Sequence, residues 1–311
     1  MRLCISLLNS ALLFLALPVS AALAGDFPQG ELRPADFPDD GFHGNVHASA
    51  GLDTTFGATQ VYSPYVNVGG KGAYEFVGSA WGMQADVDGK YSNLSWSLPQ
   101  VAGQSGNQSE IDSAIHATYA YDPTKKFGLF TGYSSRSITL NTATTGNVTT
   151  FGMQGVGAEG MMLLGPSTTA QLRAAVLVPI YDSVVINNGL TTTTTGGTGP
   201  DFGHLGYMVG ASASRQLWTN VSARLDATYA NFLVKDVGSN ITEMNAQLTA
   251  QYSFENLPLT YGATIGYGRE TIQGASTDVL SATSRLTYSF GGAPQGTRGR
   301  LFKSGVLGWA N

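Results

Sequence analysis

Three short stretches of the 311-residue chain carry residue types at spacings that could do chemistry. Gly155-Val156-Gly157-Ala158-Glu159-Gly160 matches GxGxxG letter for letter, the pattern whose glycines bring a helix N-terminus against a dinucleotide's pyrophosphate. That chemistry needs a strand before the motif and a helix after it. Here the motif sits in alternating sequence and runs into Met161-Met162-Leu163-Leu164-Gly165-Pro166, which leaves no room for a helix, so the glycines are read as smooth packing on a sheet wall. Asp86-Val87-Asp88-Gly89 hints at a calcium loop but lacks the following ligand ladder and the closing Glu. His43 and His47 are four apart, yet Gly44 stands where a zinc protease carries its Glu, and Gly disfavours the helix that would aim both rings at one ion. No Ser, His and acid or amide set gathers on one face, and no basic cluster suits nucleic acid. The expectation is therefore no enzyme, no metal and no cofactor.

The charged residues make sense only when the elements that carry them are read. From Asn220 to Phe254 two runs alternate strictly. Val221, Ala223, Leu225, Ala227 and Tyr229 share one face, and Ser222, Arg224, Asp226 and Thr228 share the other. Met244, Ala246, Leu248, Ala250, Tyr252 and Phe254 then alternate with Glu243, Asn245, Gln247, Thr249, Gln251 and Ser253. Successive strand residues point to opposite faces, so each run is a strand with one apolar and one polar side. Soluble strands are commonly about 5–6 residues long, whereas a tilted strand needs about 9–11 to cross a bilayer. The same alternation recurs over 45–54, 65–76, 82–96, 109–121, 127–138, 148–162, 169–181, 203–216, 220–233, 241–254, 258–270 and 277–290. These twelve spans predict an all-β fold, a single antiparallel transmembrane β-barrel with both termini on one side.

Strand parity then sorts the charges. The face opposite the apolar residues receives Asp53, Lys71, Glu75, Asp86, Asp88, Lys90, Asp112, Arg136, Glu159, Arg173, Arg224, Asp226, Glu243 and Arg285, with His47, His116, Gln84 and Asn67. Arg215 is the exception, on the lipid parity near a strand end. A Lys or Arg at mid-bilayer on a barrel's lipid face costs about 2–4 kcal/mol, which is a physical reason for the sorting. Eight acids and six bases favour no single sign. They would either stand on opposite walls of a narrow aqueous channel or pair across a small lumen and close it. In the channel reading the pore is lined by Lys71, Glu75, Asp86, Asp88, Lys90, Asp112, Arg136, Glu159, Arg173, Arg224, Asp226, Glu243 and Arg285, with the four arginines tuning selectivity.

Composition agrees. Only 12% of residues are charged and 40 are Gly, as expected where each outward apolar residue is matched by an inward polar one. Residues 1–24 have the form of a cleaved secretory signal: Arg2, an apolar run Ile5 to Leu17, and Ala22-Leu23-Ala24 before Gly25. Its removal would take away Cys4, the one cysteine, and leave 15 Lys plus Arg against 21 Asp plus Glu, a net charge of −6. Residues 25–44, where Asp26-Phe27-Pro28 is echoed by Asp36-Phe37-Pro38, read as a periplasmic arm, 45–290 as the barrel and 291–311 as a C-terminal tail. Short turns alternate with longer loops, the longest at 182–202. Phe76, Tyr121, Phe127, Phe254, Tyr261 and Phe290 would form an aromatic girdle at the turn side, and Tyr133, Tyr181, Tyr207, Phe232 and Tyr267 one at the loop side.

With these features the chain resembles Gram-negative outer-membrane β-barrel proteins of the porin-like type, over about Val46 to Phe290. The likeness rests on the signal, on Tyr252-Ser253-Phe254-Glu255-Asn256-Leu257-Pro258, and on the ending Leu286-Thr287-Tyr288-Ser289-Phe290. In that family a terminal aromatic strand is read by the barrel assembly machinery. The chain departs from it in Arg285, where Gly is common, and in 21 residues after Phe290 that include Arg298, Arg300 and Lys303. The tail would be a periplasmic extension, a lumen plug or an extra strand. Outer-membrane phospholipases use a Ser, His and Asn on the lipid-facing wall, but no HDSNG-like stretch occurs here, and His47, His116 and His204 fall on inward parity. The resemblance implies a multi-pass protein of the bacterial outer membrane, surrounded by lipid, that passes small polar solutes or ions by passive diffusion. The competing reading is a closed structural or surface-interaction barrel without transport.

Overall fold

A computed structural model describes residues 41–56, 60–76, 79–96, 105–141, 146–187, 192–195, 204–234, 239–272, 274–291 and 300–303. The signal segment and residues 25–40 of the arm lie outside the described residues. The long strands are β1 (Gly41–Phe56), β2 (Val61–Glu75), β3 (Trp81–Trp96), β4 (Ser105–Asp122), β5 (Lys125–Asn141), β6 (Gly146–Leu163) and β7 (Thr168–Asn187). After the four-residue β8 (Thr192–Thr195) come β9 (Gly206–Trp218), β10 (Val221–Val234), β11 (Ser239–Ser253), β12 (Leu259–Ile272) and β13 (Ala275–Phe290). All twelve alternating spans are strands, most of them longer at one or both ends than the alternation alone indicates. β1 opens at Gly41, four residues inside the expected arm.

Each long strand pairs antiparallel with its neighbours in sequence, β7 pairs directly with β9, and β1 closes the circle on β13 through thirteen partners from Gly44↔Phe290 to Phe56↔Asp278. Closure leaves no unpaired edge among the twelve long strands, the condition for placing backbone N–H and C=O groups in hydrocarbon. β8 stands outside this circle: Thr192–Thr195 pairs with the end of β7, so part of the expected loop 182–202 is a hairpin that prolongs the wall. The turns at the terminal end are tight. Phe254 N–H donates to the Leu259 carbonyl at 2.9 Å, and Asn256 takes φ 53°, a left-handed conformation that Asn tolerates better than most residues.

The outer wall is apolar all the way round, from Val68 and Leu129 to Leu172 and Ile265, each more than 60% exposed. Exposed apolar patches on a soluble monomer rarely exceed a few hundred Å2, so a belt fed by every long strand fits lipid as its solvent. At the turn end Trp81 and Tyr119 meet at 5.0 Å between ring centroids with their planes tilted 60°, and Phe76, Tyr121, Phe127 and Phe254 are exposed at the same end. At the loop end Tyr207 and Tyr229 lie 5.9 Å apart, and Tyr267 is exposed beside them. Phe232 does not join that girdle. Its parity is that of Arg224 and Asp226, and it is buried inside the barrel, 1% exposed. There it packs with Phe130, Met153, Leu177, Met208 and Ile241, so the loop-end half of one inner wall is apolar, drier than parity and composition suggest.

The lipid belt carries a direct test. Leu248 sits mid-strand on the outer face, between Leu225 and Ile265 in register. Leu248→Arg is expected to destabilise the barrel by about 2–4 kcal/mol in lipid, while Gln247→Arg, one residue along and facing inward, costs much less. Urea unfolding in bilayers checks both, and equal losses would contradict the assignment of faces.

Candidate functional site

The interior is where the fold assembles charge. Inward residues of strands two or more apart meet across it, and most are shielded from solvent. At the turn end Lys126 Nζ lies 3.0 Å from Glu75 Oε1, with both side chains 1% exposed. Next to this pair His116 holds a carboxylate at each ring nitrogen, Asp86 at 2.8 Å from Nε2 and Glu159 at 2.5 Å from Nδ1. His47 Nε2 stands 2.8 Å from Asp88, and Ser134 hydrogen-bonds Asp112. At the loop end Lys90 meets Asp53 at 2.8 Å and Glu110 at 3.7 Å. Arg136 gathers Glu110 at 2.8 Å with Glu243 and Glu270 from the opposite wall at 3.7 and 3.5 Å.

Some of these side chains lie flat across the inner wall because a neighbour lacks a Cβ. A Cβ on Gly128 would stand 2.8 Å from Glu159 and 3.2 Å from the ring of Phe302. Gly157, the second glycine of the apparent nucleotide motif, meets Phe130 and Ala175 in the same way. Its place is mid-strand in β6 with no helix after it, which confirms the packing reading of that motif.

The thirteen residues proposed as a lining all fall on the inward parity. Glu75, Asp86, Asp88, Asp112, Glu159, Arg173 and Asp226 are buried there, and Lys71, Lys90, Arg136, Arg224, Glu243 and Arg285 are partly buried. Ion pairs join many of these charges: Lys90 with Asp53 and Glu110, Arg224 with Asp226, and Arg136 with Glu110, Glu243 and Glu270. Glu110, Lys126 and Glu270 belong to the same set. Glu110 shares the parity of Asp112, whereas Lys126 and Glu270 lie at strand ends, where alternation gives the weakest reading. Among the described residues no group of three or more His, Cys, Asp or Glu is arranged to hold a metal ion.

The tail supplies the element that alternation could not reveal. Arg300–Lys303 lies within the barrel. The Phe302 N–H donates to Gln84 Oε1 at 2.8 Å, and its carbonyl accepts from Gln84 Nε2 at 3.2 Å and Lys71 Nζ at 3.0 Å. Its ring, 0% exposed, lies parallel to the His116 ring at 6.1 Å between centroids, and Lys126 Nζ sits 5.6 Å from its centre. Lys126 also donates to the Arg300 carbonyl at 3.3 Å, and Lys303 Nζ lies 3.6 Å from Asp226. Of the three places open to the tail, this segment takes the lumen.

Closed by twelve long strands around a polar interior, the molecule has known counterparts. The translocator domain of the autotransporter NalP from Neisseria meningitidis matches with a TM-score of 0.51 and 14% identity, over 80% of this chain and 88% of that one. An outer-membrane channel from Pseudomonas putida F1 matches with a TM-score of 0.50 and 10% identity, over 85% of this chain and all of that one (100%). The chain has the fold of an outer-membrane β-barrel. No protein-family model matches it, and no curated protein matches it in sequence. In such barrels the end with both termini and the short turns faces the periplasm. By that rule Phe302 lies in the periplasmic half. A cavity of about 320 Å3, bordered by Asp53, Lys90, Glu110, Arg136, Glu243 and Glu270, opens the outer half. A second, of about 330 Å3, lies beside Arg300 and Leu301 at the periplasmic end.

Proposed function

We propose that the chain is an outer-membrane channel for passive diffusion of small polar solutes or ions, held closed at rest by its C-terminal segment. The observation that carries this reading is the seating of Phe302. A lumen shut by strand side chains alone is a permanent wall, whereas a segment outside the sheet, held by four hydrogen bonds with Gln84, Lys71 and Lys126, can leave without breaking any strand pairing. With the segment gone, the thirteen inward charged residues would line the path, and Arg173 and Arg224 would bias ion selectivity. The terminal strand supports insertion by the barrel assembly machinery: Tyr288 faces outward, and Phe290 packs on Phe42 with ring centroids 5.5 Å apart.

The second reading, a closed barrel with a structural or surface-binding role, draws support from the completeness of pairs such as Glu75–Lys126 and from the apolar cluster around Leu177 and Met208. Planar-bilayer recording separates the two. A folded, heat-modifiable chain ending at Phe290 is expected to give discrete conductance steps that the full chain shows rarely. Neutralising Arg173 and Arg224 in that shortened chain should shift its reversal potential. A folded but electrically silent shortened chain would contradict the channel and favour the closed barrel.

A further inference from the structure

We infer that the periplasmic cavity is a binding site for a small oxyanion, a carboxylate or a phosphate, and that the seated tail completes it. The cavity measures about 330 Å3, at the small end of the range for small-molecule sites, which starts near 300 Å3. Its lining includes Thr169, Gln171, Ser212, Ser214, Arg224 and Arg300, and no carboxylate side chain borders it. Gln171 is 6% exposed, and its Nε2, a donor, has no hydrogen-bond partner. A buried donor left unmade is costly, so a site with one is built for an acceptor to arrive.

The charge around the cavity points the same way. Arg224 Nη2 donates to Asp226 at 2.9 Å, but Asp226 also serves Lys303 at 3.6 Å. Arg224 and Arg300 thus border the cavity as cations, while the one carboxylate beside Arg224 is shared with Lys303 and lies outside the lining. The outer cavity differs in carrying carboxylates, with Asp53, Glu110, Glu243 and Glu270 beside Lys90, Arg136 and Arg269. An anion at the periplasmic end would take charge-assisted hydrogen bonds from guanidinium groups and neutral ones from Gln171 and the hydroxyls.

Arg300 and Leu301 form one side of the cavity, so the site exists only while the tail is seated. Linkage then requires a bound oxyanion to favour the seated tail by the factor by which the seated tail favours the oxyanion. The inference rests on the seating of Arg300–Lys303 and not on conduction, so it stands or falls separately from the channel.

Titration calorimetry on the purified full chain in a non-ionic detergent tests it, with inorganic phosphate and succinate in separate arms, and chloride and erythritol as controls. Saturable heat with phosphate, succinate or both is expected, and the arm with the higher affinity assigns the ligand class. Arg300→Gln should weaken binding roughly tenfold, as should Gln171→Leu, since each removes a hydrogen bond to a charged ligand. The chain ending at Phe290 should lose binding altogether. Heat-modifiable migration establishes that each variant is folded. No saturable heat with either oxyanion would overturn the site, and so would equal heat with chloride. Binding unchanged in both point variants, or kept by the chain ending at Phe290, would also overturn it.

Discussion

Lys126→Met is expected to destabilise the barrel by about 3–5 kcal/mol, because it removes a buried cation from beside a carboxylate that stays buried. Glu75 has 1% of its side chain exposed and cannot turn to water without disrupting the wall, so the loss is far larger than the worth of an ion pair in solvent. Lys125 provides the internal comparison. It is next in sequence, points outward with 51% of its side chain exposed, and meets Asp122 at 3.9 Å. Lys125→Met should change stability by less than about 1 kcal/mol, the usual range for a surface pair. Restoring neutrality with Glu75→Gln in the Lys126→Met background should recover most of the loss, since replacing both partners of a buried pair is often nearly neutral. Urea unfolding followed by heat-modifiable migration measures all three variants. Equal effects of the two lysine substitutions would show that Glu75 reaches solvent.

Phe302→Ala is expected to unseat the tail while leaving the barrel intact. Truncating a fully buried Phe costs about 3 kcal/mol or more, equivalent to roughly a hundredfold in the ratio of seated to unseated segment. Here the ring also loses its parallel contact with His116 and its place under Lys126. Barrel unfolding should be nearly unchanged, because no strand pairing involves the segment. A cysteine introduced at Leu301 should react with a bulky maleimide much faster in the Phe302→Ala background. In bilayers the variant should open far more often than the unaltered chain. Slow labelling and unchanged gating together would place the hold on the tail elsewhere.

The strand framework could be read from the chain because a barrel wall imposes a period of two on every residue between its turns. That period also sets Arg224 and Asp226 on one side of β10 and Leu225 on the other, so the interior charges were legible by face. It says nothing about which inward charge meets which. Glu75 and Lys126 are 51 residues apart, and only closure of the circle brings them together. Phe232 shows that parity outranks position: an aromatic near a strand end belongs to the girdle only if its number points it outward. The tail is harder still. Phe302 lies 218 residues from Gln84, and a Gly- and Arg-rich stretch without alternation carries no local signal of where it will rest.

A segment that closes the barrel from the periplasmic end, as proposed, should still do so as a separate molecule. This is tested most directly by adding a synthetic peptide of residues 292–311 to conducting barrels that end at Phe290, held in a planar bilayer with known orientation. The peptide is expected to close the channels from the periplasmic side only, and the same peptide with Ala at position 302 to do so at least tenfold more weakly. Channels indifferent to the peptide, or closed equally well from the outer side, would contradict the proposed closure.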